Sequence, residues 1–582
     1  MNAPVCARKE PPIVMTVYAD IANPDLLDRI PLNAARVLDV GCGGGALGSE
    51  FKRRNPSARV YGIESDADMA AVAAARLDVV AHVDVEAEPF PFGDTVFDCI
   101  VFGDALEHLR DPWRLLGLHA QRLAPQGVML ICMPNVEHWS FVERLLRGTF
   151  DYEDAGLFDR THLRWFTVET TRRALLAAGL VPCDVIPRVF GRPEAGEFVR
   201  AMRPALEALG VDVAQYAMRS LPLQHVWRAM REPAERMEVV SSMLTPVGGV
   251  SHVRVVEPMA ALSTHPGLIT RIIEAYDPGE ATTEGPRIFI FHRPLLAGAP
   301  GLALLRVLLD RGYVVVCEFD DHPAYIPVLQ RDDVYNFRAV HAVQTTTQPL
   351  AGVLGAENPN VAIFPNAVRQ VQMPRNFAVP GRLTMLFAGI NREEEWPAYL
   401  DALNAVAALA GERLFFRIVA DRGLFDALET PHKSFTPLCD YETYQDLLAT
   451  SEICFMPLAD TPFNRCKSDL KFIEAASFRV AALASPTVYA DVIEDGRTGL
   501  IFRDAQELQQ RLARMIANPD YARGLADAAR QYVTGHRMLA YQVEERAVWY
   551  RSLWARRDAL NQELLERVPE LALMADPLLS GG

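Results

Sequence analysis

The residues best placed to do chemistry begin at Asp39-Val40-Gly41-Cys42-Gly43-Gly44-Gly45. The apolar run before the glycines predicts a short buried strand, the glycines a tight turn, and residues 46–54 the start of a helix. A strand, turn and helix in that order bring backbone N–H groups close to a ligand that needs close approach. Glu64 ends a second predicted strand, 59–64, about 20 residues after the glycines, where a carboxylate can take both hydroxyls of a ribose. Asp104, Glu107 and His108 stand at i, i+3 and i+4. On a helix they would share a face, and carboxylates with an imidazole suit a divalent ion. The simpler reading has His108 lining a pocket and Glu107 structural, and no metal is expected. His162 lies in 150–167, a polar stretch rich in aromatics, Arg and His that reads as a lid over an acceptor. Far downstream, Lys467, Lys471 and Glu474 stand at i, i+4 and i+7 along one predicted helix stripe. Two ammonium groups near a helix N-terminus make a diphosphate site, and a carboxylate one turn on can hold ribose hydroxyls.

Asp39 inside its strand and the compact Asp-x-Gly-x-Gly resemble motif I of the class I S-adenosylmethionine (SAM) methyltransferases. Gly103-Asp104-Ala105-Leu106-Glu107-His108-Leu109-Arg110-Asp111-Pro112 is similar to that family's segment after its fourth strand. The resemblance implies SAM as cofactor, with Asp39 beneath its methionine end and Gly41, Cys42 and Gly43 passing under its ribose. It also implies adenine contacts from Asp84 and the N–H of Val85, with Glu86 in place of Asp84 if the register shifts, and a cofactor-side position for Phe102. Some quinone-type O-methyltransferases resembling this domain hold a metal on a comparable trio with Glu where this chain has Asp104. Residues 159–167 are similar to methyltransferases of bacterial glycan and secondary-metabolite pathways. Methyl transfer is an in-line displacement, so the protein must align the partners and take up the acceptor's proton. His162 is the first candidate base and His108 the second.

Residues 463–476, with 481–485, Tyr489 and 493–502, resemble the C-terminal half of retaining GT-B glycosyltransferases in a divergent branch. Cys466 stands where the usual upstream glutamate of the pair would be, and only Arg392 within 391–396 could act as the phosphate clamp. The resemblance implies a nucleotide sugar held by Gly249, Arg392, Lys467, Lys471 and Glu474 without a metal. His252, Arg254 and the pair Asp320 and Asp321 are acceptor-side candidates.

These residues need rigid frames. Alternating strand and helix signals predict an α/β chain of three Rossmann-like sheets. The expected division is a SAM methyltransferase domain at 1–190 and a helical connector at 191–235, with 198–209 and 224–231 read as helices. A GT-B N-terminal acceptor domain at 236–380 and a C-terminal nucleotide-sugar domain at 381–545 follow, then a helical tail at 546–582. A helix is expected at 254–262, and the tail is expected to cross back to the N-terminal half of the GT-B part.

At 582 residues the chain is too long for one core. The net charge of −16 argues against nucleic acid as a partner, because such binding rests on phosphate neutralisation by Lys and Arg. The nine cysteines are scattered with no C-x-x-C pair, which suggests buried thiols in a reducing compartment. No apolar run reaches about 20 residues and no signal-peptide core is visible, so a cytoplasmic location is expected, with peripheral membrane contact left open. The expected protein is a bifunctional enzyme of glycan or glycoconjugate assembly, using SAM and a nucleotide sugar on a saccharide or glycoconjugate acceptor. The alternatives are a SAM methyltransferase carrying a degenerate, saccharide-binding GT-B module, and a small-molecule methyltransferase with an unrelated C-terminal scaffold.

Overall fold

The structure is a computed structural model. It describes residues 20–191, 193–233, 235–243, 248–279, 281, 284–373 and 379–573. The expected loose segment 1–12, Cys6 and turn residues 245–247 lie outside them. The chain divides into two units, one of residues 1–52 with 58–234, the other of 53–57 with 235–582.

The first unit is built on β1 (Arg36–Val40), β2 (Arg59–Glu64), β3 (Val79–His82), β4 (Phe97–Gly103), β5 (Leu123–Pro134), β6 (Val181–Arg188) and β7 (Gln224–Met230). They form one sheet in the order β3-β2-β1-β4-β5-β7-β6. All neighbours are parallel except β7, which runs antiparallel between β5 and β6. The order reverses direction at β1, between β2 and β4, and in open α/β sheets ligands bind at such a switch point, beyond the carboxyl ends of the strands. The glycine turn leaves β1 there. Asp39 is paired in register with Gly62 of β2 and Val101 of β4, and the expected helix Ala46–Arg54 follows. Phe97, Ile100 and Phe102 of β4 pack with Leu38, Leu175 and Trp227 in the core.

The connector is corrected. Residues 224–231, read as helical, supply β7, and 181–188, left unassigned, supply β6. The cause is burial on both faces of β7: His225 to Met230 are all buried, so no period-2 alternation is left to mark a strand. Two helices, Pro193–Ala208 and Val213–Ser220, are inserted between these strands.

The second unit has two parallel sheets. The first contains β8 (Met237–Ser242), β9 (Leu268–Ile273), β10 (Arg287–His292), β11 (Val314–Glu318), β12 (Ala342–Thr345) and β13 (Val361–Ile363), ordered β13-β12-β11-β10-β8-β9. The second contains β14 (Leu383–Ala388), β15 (Leu414–Val419), β16 (Lys433–Thr436), β17 (Ile453–Met456), β18 (Ala481–Ala484) and β19 (Leu500–Ile501), ordered β16-β15-β14-β17-β18-β19. The expected α/β class with three Rossmann-like sheets is therefore what the chain adopts. β9 and β16 carry no strand assignment in the sequence reading. The helix expected at 254–262 begins earlier, at Gly248, and passes through a π-turn, His252–Val256, before Glu257–Ser263.

The tail crosses back as expected. Helix Pro519–His536 puts Ala522, Leu525 and Ala526 into the core of the β14–β19 sheet. Helix Val543–Ala555, which contains the boundary placed at 545/546, puts Ala547, Tyr550 and Leu553 into the core beneath β8, β10 and β11.

One backbone approach fixes the geometry of the glycine turn. A Cβ at Gly62 would lie 2.6 Å from Cys42 Sγ and 3.0 Å from Leu77 Cδ1. Overfilling a packed interior costs about 1–3 kcal/mol. Gly62→Ala should lower the stability of the first unit by that amount in urea unfolding, and an unchanged midpoint would show that Cys42 does not pack against β2.

Candidate functional site

The turn after β1 depends on positive φ at Gly41 (75°), Gly43 (53°) and Gly45 (79°), a region that side-chain-bearing residues rarely adopt. Gly41 N–H and Cys42 N–H both donate to Ile63 O, at 2.8 and 3.1 Å. Glu64 grips the turn from β2. Its Oε2 accepts from Gly43 N–H at 2.8 Å, and its Oε1 accepts from Ser65 N–H and Asp66 N–H at 2.8 and 2.9 Å. Asp39 is buried beneath, and burial followed by the charge of Glu64 pushes its carboxyl up to about 7. Burial likewise raises the Cys42 thiol, so this cysteine packs as a neutral group.

The third strand stops at His82, so Asp84 and Val85 sit in the loop beyond it. Asp84 is exposed, and its Oδ1 caps Glu86 N–H at 2.9 Å. Glu86, the alternative to Asp84, clasps the loop through its two oxygens, which accept from Arg110 N–H and Asp111 N–H at 2.9 and 2.8 Å. The Phe102 side chain is wholly buried against His119, with ring centroids 5.2 Å apart, so only its backbone can face a ligand.

Next to the turn, a Cβ at Gly41 would lie 3.1 Å from Ala105 Cβ. The expected helical face of Asp104, Glu107 and His108 does not form. Asp104 has φ 54° and accepts from Gln224 Nε2, while Leu106–His108 is a single 3-10 turn. His162 joins Glu107 and His108 instead. The backbone carbonyl of Glu107 accepts from Leu163 N–H and Arg164 N–H, at 2.7 and 3.0 Å, and so docks the segment 159–164 onto this turn. The two imidazoles lie 4.8 Å apart, edge to face, and His162 Nε2 is 4.0 Å from Glu107 Oε1. Burial lowers the pKa of both histidines, and for His162 the neighbouring His108 lowers it further. Burial, then the charge of Asp104, holds Glu107 well above the carboxylate range. Among the described residues neither Glu107 oxygen has a hydrogen-bond partner.

Ligand atoms of Glu107, His108 and His162 all lie within 4.8 Å of one another, a spacing that one divalent ion can bridge. An ion would first have to displace the proton that burial favours on Glu107. Burial favours the uncharged form of each member of the trio. Asp159 and Thr161 join it, two residues that the sequence reading contained only as part of a longer string.

In the second unit, Glu474 is buried and accepts from Tyr441 Oη at 2.7 Å and Tyr444 Oη at 3.2 Å. Neither tyrosine carries a sequence signal for this role. Glu257, following the π-turn, shares a cavity of about 120 Å³ with Glu474, Tyr441 and Gln445. Burial and the Glu474 charge push its carboxyl up to about 7. Lys471 is on helix Leu470–Ser477, and its Nζ donates to Ala388 O. Lys467 precedes the helix, contrary to the single stripe expected, because helix Pro462–Arg465 ends at Cys466; its Nζ pairs with Asp321. Arg293 forks onto Asp320 and Asp321, both at 2.6 Å, so these acidic candidates are held by basic neighbours. Arg392 Nη1 donates to Glu395 and Asn464, at 3.1 and 3.2 Å. His252 stacks on Tyr441 at 4.9 Å, and a Cβ at Gly249 would lie 2.9 Å from that same ring.

Arg254 is not an acceptor-side residue. It is 3% exposed and pairs in two-pronged fashion with Glu318, at 2.9 and 3.0 Å. It also donates to Phe364 O and Asn366 Oδ1, both at 2.9 Å.

The glycine turn gripped by a β2 carboxylate lies at the sheet's switch point, the place where open α/β sheets take their ligands. Residues 17–184, under a third of the chain, match the family model described as a methyltransferase domain. The ubiquinone biosynthesis O-methyltransferase of Xylella fastidiosa (strain 9a5c) is 33% identical over 159 residues, covering 23% of this chain and 61% of the relative. The trans-aconitate 2-methyltransferase of Rhodopseudomonas palustris (strain BisB18) is 38% identical over 117 residues, covering 19% of this chain and 43% of the relative. The chain thus spans about half the length of these curated relatives. Among solved structures, Anabaena Alr3699/HepE in complex with UDP and glucose is 12% identical, covering 55% of this chain and all of that one, with a TM-score of 0.38. That likeness is too slight to argue from.

Removing one partner of a buried ion pair costs about 3–5 kcal/mol, because the other charge is left uncompensated. Arg254→Met should therefore destabilise the second unit by about that much, and pairing it with Glu318→Leu should recover most of the loss. A single variant as stable as the parent in denaturant titrations would contradict the burial described for this pair.

Proposed function

We propose that the first unit transfers a methyl group from SAM to a hydroxyl oxygen, and that the second is a GT-B module acting on a nucleotide sugar, both serving one saccharide or glycoconjugate. The observation that carries the first half is a pair of imidazoles of lowered basicity standing beside a glycine turn held for a nucleoside. SAM, when bound, supplies a methyl group on a positively charged sulfur. The chain's own residues do the rest. Gly41 to Gly45 admit the nucleoside, Glu64 stands at the ribose position, and Asp39 underlies the methionine end. A neutral imidazole at the turn 106–108 takes the acceptor's proton as its oxygen is alkylated. Tyr152 and Trp165, 59% and 37% exposed and both packed against Phe150, are aromatic faces in the same 150–167 stretch as His162.

Parallel sheets joined by a returning C-terminal helix support the GT-B reading of the second unit. A second reading, a saccharide-binding module without transfer activity, is favoured by one observation. Arg392, Lys467, Lys471 and Glu474 all have partners inside the protein, so a donor would have to displace several contacts to engage them. Thermal-shift measurements of the whole protein with SAM and with nucleotide sugars test both readings. SAM should raise the melting temperature and Asp39→Ala should abolish that rise. A nucleotide-sugar shift lost in Glu474→Ala supports the transferase, and no response to any nucleotide sugar supports the second reading.

The ionisation of Asp39 gives a further check. Burial and the Glu64 charge push the Asp39 carboxyl up to about 7, so it keeps its proton into the neutral range. The cationic methionine end of SAM favours the carboxylate, so binding expels that proton, and affinity should rise from pH 6 to pH 8. Calorimetry in buffers of different ionisation heat should report proton release at pH 7, and Asp39→Asn should remove it. Affinity that is flat with pH in the parent protein would contradict Asp39 as the group beneath SAM.

A further inference from the structure

We infer that Asp159 and Thr161 form a relay that fixes the proton of His108 on Nδ1, which makes His108 Nε2, and not His162, the atom that receives the acceptor's proton. The inference rests on the methyl-transfer reading for its purpose but not for its geometry. Thr161 Oγ1 lies 2.6 Å from Asp159 Oδ1 and 2.9 Å from His108 Nδ1. The same Asp159 oxygen accepts from Thr161 N–H at 2.8 Å, so the carboxylate is aimed at Thr161 from two directions. A hydroxyl has one proton, and an ionised carboxylate can only accept. The Thr161 proton therefore points to Asp159, and Thr161 presents a lone pair to the ring. The ring answers with Nδ1–H, which leaves the lone pair of the neutral imidazole on Nε2.

The two histidines are thereby assigned different tasks. His162 is 7% exposed, packs edge-to-face on His108 and faces Glu107, so it walls the site from behind. His108 is half-buried and stands beside the Ala105 that the glycine turn touches. In the transfer, the O–H bond of the acceptor breaks toward His108 Nε2, the oxygen forms its bond to the methyl carbon, and the carbon–sulfur bond breaks with its electron pair staying on sulfur. The imidazolium that results carries its two protons on Nδ1 and Nε2, and the Nδ1–H still rests on Thr161, backed by the negative charge of Asp159. Asp159 and Thr161 touch no reacting atom and act through His108. They are positioning residues.

Proton placement can be read without knowing the acceptor. In full-length protein labelled with 15N-histidine, long-range 1H–15N spectra distinguish the tautomers of each neutral ring, and His108→Gln identifies the His108 signals. The parent protein should show His108 with its proton on Nδ1. Thr161→Val should lose that state and place the proton on Nε2, and Thr161→Ser should restore it. Asp159→Ala, with Thr161 in place, frees the hydroxyl to turn and donate to the ring, and should also give the Nε2–H form. A parent protein with the proton on Nε2, or a Thr161→Val protein with an unchanged tautomer, overturns the relay. The SAM-induced thermal shift is recorded on the same samples. Its absence counts against the methyl-transfer reading and leaves the relay standing, and a wrong tautomer with a normal shift does the reverse.

Discussion

The first unit depends on one carboxylate reaching back from the end of β2. Glu64 accepts three backbone N–H groups, one in the glycine turn and two in its own β2–helix corner. The turn after β1 needs three left-handed glycines in five residues, and glycine loses the most chain entropy on folding, so a turn of this kind needs an outside clamp. Glu64 supplies it and at the same time carries the charge that helps keep Asp39 protonated. Glu64 Oε1 spends both of its lone pairs on residues 65 and 66 and Oε2 spends one on Gly43, which leaves one lone pair on Oε2. On the proposed reading a single ribose hydroxyl can take it without dismantling the turn.

Charge is used differently in the second unit. The Arg254–Glu318 pair is extended by Gln344, whose Nε2 donates to Glu318 at 2.7 Å and whose Oε1 accepts from Tyr550 Oη at 2.9 Å. Tyr550 belongs to the returning helix Val543–Ala555, so one chain of buried polar contacts runs from the helix after β8 through β11 and β12 to the C-terminal segment. Buried networks of this kind are costly when incomplete and fix a unique arrangement when every member is satisfied. The Arg254 guanidinium in the π-turn and the Glu318 carboxylate at the end of β11 therefore hold the structure together here.

Much of this was legible in the residues, and the failures have physical causes. The strand–turn–helix at 36–54 and the alternation of the second unit could be read because glycine punctuation and uniformly apolar strands are local signals. β7 was not, because a strand buried on both faces and separated from β6 by two helices loses its alternation and its hairpin partner together. The stripe of Lys467, Lys471 and Glu474 assumed one uninterrupted helix, whereas a short helix ends at Arg465 and releases Lys467 toward Asp321. The trio at 104, 107 and 108 failed for a similar reason: a left-handed residue followed by a single 3-10 turn does not place i, i+3 and i+4 on one face. His162 and His108 could be named from sequence, but their meeting could not, since it is set by two backbone hydrogen bonds to the carbonyl of Glu107.

Those two bonds also bear on what kind of chemistry the site favours. The segment 159–164 is held by its backbone, and that brings His162 to Glu107 and His108. An ion bridging the cluster and a base acting from it need the same nitrogen lone pairs, so one set of atoms cannot serve both at once. Burial tilts that competition. It favours the uncharged form of each of the three side chains, and His108 is the least enclosed of them. On the proposed reading an incoming hydroxyl therefore donates to a neutral imidazole, and that ring gains its charge only as the methyl group moves.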